Sequence, residues 1–444
     1  MRLIIVLLSL ILYAFSPNKY DYPYLLLIFA LFVFSGFISI KDQIKTKEFI
    51  SFNVLFVTSF FLTSFAYPIF IKPIGIDIWL SNIINENVIT KSTALCQIAF
   101  SSYVLGLGIK KNKKKKYTHI LTKAHPLNYF ISPLIGFIFF IIGFFIVIST
   151  KGTINFDEGW SDFLFSLFIL YTIVVIGYSG RESLLYKKKY YLLICIAIAS
   201  FLLLFIIGDR GLILSIFVAL FSAYTIYIRK IKFRYFFLLG VISVFTLSLI
   251  ADIRQGDSVI KSIQSYEVTQ SDSKWDYFSD LTAISRNIYV GYEYKETYGF
   301  YKPERIILLP LTPIPFLPSL ISNHLLGEEY SSYSSSSKII TSHSSFIKEG
   351  PSLMGGLGTH AVIDVYISWG IIGTILFFLI LGHVVNISYL NIHNNIYYAM
   401  IYFVLTAFSI YIPRSTIYEQ YRLIVWILVL TYIFRHFTFV KRKL

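Results

Sequence analysis

Long apolar runs separated by short polar segments recur along the whole chain. Runs of about 17–25 mostly apolar residues are long enough to cross the hydrocarbon core of a bilayer as α-helices. The pattern predicts about twelve such spans, at residues 3–16, 24–40, 49–71, 92–109, 128–148, 160–178, 190–207, 212–228, 235–251, 361–387, 396–412 and 423–439. We therefore expect an all-α, polytopic integral membrane protein in which residues 1–444 form a single membrane domain.

The composition agrees with a membrane protein, because 56% of residues are hydrophobic and only 14% are charged. The first apolar run, 3–15, resembles the core of a signal peptide, but residues 16–19 lack the small-residue pattern of a cleavage site. We therefore expect an uncleaved first span. Cys96 and Cys195 lie within apolar runs and are too few for a disulfide framework.

Basic residues cluster in short segments between the predicted spans. A lysine run occupies 110–116, and further basic clusters lie at 41–47, 181–189, 229–234 and 441–443. Simple alternation of spans puts all of them on one side, which the positive-inside rule assigns to the cytoplasm together with both termini. The net charge of +15 therefore follows from topology, and we expect no nucleic-acid partner.

The one long hydrophilic stretch, 252–360, falls on the outer side by the same alternation. It contains a proline cluster at 309–318, apolar enough to lie on the membrane surface, and a serine-rich tract at 331–337. We expect this large periplasmic or extracellular loop to carry the chemistry of the protein.

Arginine at the outer ends of spans is contrary to the positive-inside bias, so its presence there indicates a specific role. The predicted topology places four such arginines, and one neighbouring aspartate, at Asp209, Arg210, Arg254, Arg414 and Arg422. A guanidinium stays charged and binds phosphate oxygens in a bidentate manner, so the group predicts a site for phosphate-rich ligands. The alternative is that each arginine pairs with a nearby carboxylate or reaches lipid headgroups.

Three histidines lie in the outer stretch, where a base could meet an extracytoplasmic substrate. His360 follows a glycine-rich approach to the next span, and Asp364 stands one helical turn further on, so the carboxylate could orient the imidazole for proton transfer. The competing interpretations are a solvated histidine and an aspartate that hydrogen-bonds near the helix start. His324 and His343 are further candidates. The histidines lack metal-ligand spacing, so we predict no metal.

Four features together resemble the Wzy-type O-antigen and oligosaccharide repeat-unit polymerases of bacterial surface polysaccharide assembly. They are about a dozen spans, a Gly-Asp-Arg-Gly turn at 208–211, one large outer loop before the last three spans, and the stretch 356–373. That stretch runs from Gly-Leu-Gly-Thr-His through Asp-Val-Tyr to Gly-Ile-Ile-Gly. The resemblance implies a helical, GT-C-like architecture of the O-antigen polymerase and ligase type.

The resemblance further implies a glycosyltransferase of the bacterial inner membrane whose active face is periplasmic or extracellular. It would polymerise lipopolysaccharide repeat units, with undecaprenyl-diphosphate-linked oligosaccharides as donor and acceptor, lipid diphosphate as leaving group, and no metal or cofactor. Membrane lipid and a chain-length regulator are further implied partners. By this analogy the four arginines bind diphosphate, and His360 is the base or positions the acceptor. Ala361 follows His360 where ligases carry asparagine, which favours a polymerase.

Two other functions share this topology. A ligase that attaches finished polysaccharide to another acceptor would keep the spans and the arginines, so only substrate assays separate it from a polymerase. A flippase for lipid-linked sugars would need charged residues at mid-bilayer depth along a transport path. The predicted spans contain almost none, because the ionisable residues outside the cytoplasmic segments gather at the outer membrane ends. The sequence therefore favours a polymerase.

Overall fold

The computed structural model describes residues 1–75, 85–109, 166–167, 169–174, 176–177, 210–231, 282, 284–314, 317–328, 330–347 and 358–437. Every regular element in these ranges is helical, which confirms the all-α class for this part of the chain. The lysine run at 110–116 and the predicted spans at 128–148, 190–207 and 235–251 lie outside the described residues. The number of spans and their orientation across the membrane therefore stay predictions.

The described helices fall into a bundle and a polar segment. They are α1 Arg2–Ala14, α2 Tyr22–Thr46, α3 Phe52–Ser64, α4 Ile89–Gly106, α5 Arg210–Tyr227, α6 Ser285–Tyr298, α7 Arg305–Leu308, α8 Leu317–Ile321, α9 Ser331–Ser334, α10 Ser337–Ile347, α11 Ala361–Leu390, α12 Ile396–Phe408 and α13 Ile417–Phe437. Helices α1–α5 and α11–α13 coincide with predicted spans. Helices α6–α10 belong to the long polar stretch predicted at 252–360.

Two of the described helices, α2 and α11, are long and apolar enough to cross a membrane, with mean hydropathies of 2.3 and 2.2. A third span results if α3 and the helical turn Tyr67–Ile74 act together across a bend of 53°. The start of α2 is fixed by Asp21, whose carboxylate accepts a hydrogen bond from the Tyr24 amide at 3.0 Å. Pro23 stands in the first turn, where its missing N–H costs no hydrogen bond.

Helix α4 packs against α1, α2 and α11, although it is rich in hydroxyl side chains. Most of its residues are buried, and several of the buried serine and threonine hydroxyls bond within the helix. Thr93 Oγ1 donates to the carbonyl four residues earlier at 2.7 Å, and Ser102 Oγ does the same at 2.8 Å. Because these hydroxyls are satisfied locally, they can be buried without polar partners on the neighbouring helices.

Glycine brings α4 and α11 into direct backbone contact. A Cβ atom added at Gly106 would lie 2.2 Å from the carbonyl oxygen of Leu379, and one added at Gly382 would lie 2.1 Å from that of Tyr103. Both distances are shorter than any tolerable contact. These two glycines therefore set how closely the helices approach, as small residues do in membrane bundles.

Helix α11 bends at Gly370, which has φ +65° and ψ −157°, a conformation that glycine adopts readily. From the sequence, Gly370 and Gly373 predict close helix packing, but the structure gives them other surroundings. A Cβ at Gly370 would face the Phe300 ring at 3.2 Å, and one at Gly373 would meet Trp369 of the same helix. The bend separates residues 361–369 from the rest of α11.

The loops of the bundle collect at two ends. At one end, the Tyr389 hydroxyl donates to Glu48 Oε2 at 2.5 Å, and Lys230 Nζ lies 3.6 Å from Glu48 Oε1. The other, which we term the Asp364 end, comprises residues 13–21, 64–75, 85–91, 284–314, 317–328, 330–347, 358–369 and 410–417. This grouping follows the division that the charge pattern predicts, while the side of the membrane that each end faces stays a prediction.

Candidate functional site

A buried ion pair anchors the polar segment to α11. Arg305 Nη2, in α7, lies 3.0 Å from Asp364 Oδ1, in the first turn of α11, and both side chains are 0% exposed. The pair joins residues that are 59 positions apart in the chain. An aspartate within an apolar run is costly unless it is paired, and Arg305 supplies the partner.

The Arg305 guanidinium is hydrogen-bonded on several sides. Its Nε donates to the Tyr333 carbonyl at 2.7 Å and its Nη1 to Ser368 Oγ at 3.0 Å. The guanidinium also lies over the Tyr418 ring, with Cζ 5.0 Å from the ring centroid. Burial acts to lower the pKa of Arg305, but the Asp364 carboxylate and Tyr418 outweigh it and hold the pKa above its usual value. The group therefore stays charged and is committed to structural contacts.

Asp364 also receives two backbone hydrogen bonds. Its Oδ1 accepts from the Ser336 amide at 3.0 Å, and its Oδ2 accepts from the Ile417 amide at 3.4 Å. One carboxylate thus ties α7, the start of α10 and the start of α13 to α11. The predicted pairing of Asp364 with His360 is not seen, because both nitrogens of the His360 ring are engaged with other groups. A catalytic role for Asp364 stays a prediction.

His360 is fully buried at the start of α11, not at an exposed surface. Its Nδ1 accepts from the Val362 amide at 3.2 Å, which makes it the N-cap of the helix. Its Nε2 lies 3.2 Å from Ser64 Oγ and 3.3 Å from Thr63 Oγ1. Burial lowers the pKa of His360 to about 3, so the ring is neutral.

The capping bond assigns the single ring proton of His360 to Nε2, which then donates to Ser64 or Thr63. In this arrangement neither nitrogen offers a free lone pair to a substrate hydroxyl. Catalysis by His360 remains a prediction, and the geometry indicates helix capping. The sequence offers Asp364 as a residue that hydrogen-bonds near the helix start. In the structure His360, one turn earlier, is the residue that caps the helix.

The other two histidine candidates lie in the polar segment. His343, on α10, contacts the rings of Tyr294 and Tyr298 edge-on, with centroid distances of 5.6 and 5.7 Å. Burial lowers the pKa of His343, against the opposing effect of the Glu293 carboxylate. His324 is exposed in the turn that ends at Gly327. These placements leave the catalytic role of either histidine a prediction.

The structure describes two of the four predicted phosphate-binding arginines in full. Arg414 is exposed at the end of the turn Ile412–Arg414. The Arg422 guanidinium lies 5.1 Å from the centroid of the Trp426 ring. Ile417, which lies between the two arginines in the chain, bonds to Asp364, so both belong near the Asp364 end. Arg254, Asp209 and the Arg210 side chain lie outside the described residues, and phosphate binding by this group stays a prediction.

Three tyrosines, a lysine and a carboxylate form a second cluster at the same end, which we term the Glu296 cluster: Tyr13, Tyr292, Lys295, Glu296 and Tyr366. The Tyr13 hydroxyl lies 2.9 Å from that of Tyr292 and 3.1 Å from that of Tyr366. The Tyr366 hydroxyl donates to Glu296 Oε1 at 3.1 Å. The sequence did not single out this cluster or Arg305. Of these residues only Tyr366 lies in a motif, and a motif does not indicate which distant side chains it meets.

Within the described residues no group of three or more His, Cys, Asp or Glu side chains could hold a metal ion. The described side chains at the Asp364 end include carboxylate, ammonium, guanidinium and phenol groups beside aromatic rings. Such groups can bind sugars and phosphates and can move a proton.

Comparison with curated proteins and with solved structures gives no match. Comparison with protein families gives one that extends over residues 1–443, to the family described as O-antigen polysaccharide polymerase Wzy. The match covers the apolar helices of the bundle and the polar segment at the Asp364 end alike. The chain therefore belongs to the O-antigen polysaccharide polymerase Wzy family.

Proposed function

We propose that the protein joins oligosaccharide repeat units carried on undecaprenyl diphosphate, at the outer face of the bacterial inner membrane. The growing chain passes from its lipid diphosphate to a hydroxyl of the next lipid-linked unit, and lipid diphosphate leaves. The observation that carries the proposal is the family match over residues 1–443, which makes the protein an O-antigen polymerase of the glycosyltransferase type.

The geometry of the Asp364 end supports this as the place of reaction. The polar segment is fastened there to α11 through Arg305 and Asp364, so sugars would meet an ordered surface. The surface lies where transmembrane helices begin and end, and lipid tails can therefore stay in the bilayer while their headgroups reach polar side chains. Among the described residues, Arg414 and Arg422 are the candidates for binding the negatively charged diphosphate.

The proposal is tested by deleting the gene and examining surface polysaccharide on a gel. We expect deletion to leave single repeat units on the surface lipid and restoration to return a ladder of chain lengths. A deletion strain with an unchanged ladder would exclude polymerisation. Loss of all surface glycan, with lipid-linked units trapped inside, would identify a flippase, and full-length polymer left on its lipid carrier would identify a ligase.

The proposed orientation predicts which end of the bundle is reached from outside the cell. Ser342, on α10, and Asn394, after α11, are both exposed and lie at opposite ends. With Cys96 and Cys195 replaced by alanine, an impermeant thiol reagent added to the outer side of the inner membrane should label Ser342→Cys and not Asn394→Cys. The reverse pattern would place the Asp364 end in the cytoplasm and remove the basis for a reaction at the outer face.

A further inference from the structure

One carboxylate at the Asp364 end is both exposed and held in place by buried groups. The Glu296 side chain is 45% exposed. Its Oε1 accepts from the Tyr366 hydroxyl at 3.1 Å and from Lys295 Nζ at 3.0 Å. Oε1 is the acceptor of both of these hydrogen bonds, so Oε2 can accept a bond from an incoming group.

Three helices fix the position of this carboxylate. Tyr366, on α11, is 1% exposed, and its ring stacks on that of Tyr292, on α6, at a centroid distance of 5.3 Å and an angle of 4°. Both hydroxyls reach Tyr13 at the end of α1. The donor to Glu296 is thus part of a packed phenol network, whereas an ordinary surface glutamate would be free to change rotamer.

Four of the other carboxylates described at the Asp364 end are committed elsewhere. Asp364 is fully buried in its pair with Arg305, and Asp21 caps α2. Glu86 pairs with Lys72 and Glu328 with Lys302, both at the surface. Glu296 differs from these four because it combines an exposed side chain with a donor that is anchored in the bundle.

The surroundings of Glu296 fit a carbohydrate. Phe300 and Tyr298 are 59% and 57% exposed, although they belong to a polar segment. Lys295 Nζ lies 5.3 Å from the centroid of the Phe300 ring. Exposed rings beside a few fixed polar groups are typical of a binding surface, because rings take up the apolar faces of a ligand while the polar groups orient its hydroxyls.

We propose that Glu296 is the general base that activates the acceptor sugar, an assignment that rests on the polymerase function proposed above. Glu296 Oε2 takes the proton of the acceptor hydroxyl as its oxygen forms a bond to the anomeric carbon of the donor chain. The bond from that carbon to the diphosphate oxygen breaks, and the electron pair leaves with lipid diphosphate. The proton then passes from Glu296 to solvent.

The assay uses membranes that contain the protein and lipid-linked single units extracted from the deletion strain. We expect Glu296→Gln to slow chain growth by about 10²–10⁴-fold, the usual contribution of a general base. Glu296→Asp keeps a carboxylate and should retain part of the rate. The matched control is Glu328→Gln, which neutralises an exposed glutamate of the same segment and should leave the rate unchanged.

Wild-type rates in Glu296→Gln, at equal amounts of protein in the membrane, would overturn the assignment. If that variant does not accumulate, Glu296→Asp and Glu296→Asn provide the comparison, and equal rates in the two would overturn it as well. Wild-type membranes that fail to lengthen the units would instead contradict the proposed function, so the two failures are distinguishable.

Discussion

Replacing Asp364 by alanine should destabilise the protein by about 3–5 kcal/mol, the usual cost of breaking a buried ion pair. The change would leave the Arg305 guanidinium charged, fully buried and without its carboxylate. It would also release the amides of Ser336 and Ile417, so three segments would lose their common acceptor. We expect a lower midpoint of thermal unfolding in mild detergent and loss of polymer in cells.

A double variant distinguishes the effect of an unpaired buried charge from the effect of lost packing. Asp364→Leu combined with Arg305→Met should cost less than either single change, because no buried charge is left alone. The control is Glu328→Ala, which removes a surface pair with Lys302 and should cost no more than about 1 kcal/mol. Equal stability of Asp364→Ala and the wild type would show that the hub does not hold the polar segment.

Replacing Gly382 by alanine should separate α4 from α11. The added Cβ would lie 2.1 Å from the Tyr103 carbonyl oxygen, and a backbone atom cannot move aside as a flexible side chain can. Overpacking of this kind costs about 1–3 kcal/mol, and here it falls on a crossing that also includes Gly106. We expect a lower unfolding midpoint and less folded protein in the membrane.

Gly36, on α2, provides the matched control. A Cβ there would lie 3.5 Å from Val57 Cγ1, an ordinary contact. Gly36→Ala should therefore be neutral or stabilising by up to about 1 kcal/mol, since alanine favours helix more than glycine does. If both alanine variants unfold at the wild-type midpoint, the close crossing of α4 and α11 does not contribute to stability.

Several features of the fold follow from local pattern alone. The apolar runs predict the helical bundle, and α2 and α11 coincide closely with two predicted spans. The basic clusters predict which loops share an end. Lys230 belongs to one such cluster and contacts Glu48, which directly follows another. The helical class and the spans α2 and α11 can be predicted because helix length and hydropathy are properties of consecutive residues. The topology stays a prediction.

The candidate site was predicted less well. The apolar surroundings of Asp364 indicate that it needs a partner, but they do not indicate which one. The glycine-rich residues before His360 predict an exposed histidine that could act as a base. In the structure His360 is buried and caps α11. Glu296 stands in a polar stretch that offers no periodicity to distinguish it from other surface glutamates.

The sequence by itself determined that this is a helical membrane protein of the O-antigen polymerase family, with one long polar segment among its apolar runs. Only the tertiary structure decided which side chains meet. Tyr13 and Tyr292 lie 279 residues apart and Arg305 and Asp364 lie 59 apart, yet both pairs are in contact. Such pairs depend on the rotation and depth of packed helices, which arise from contacts distant in the chain and leave no mark on local hydropathy.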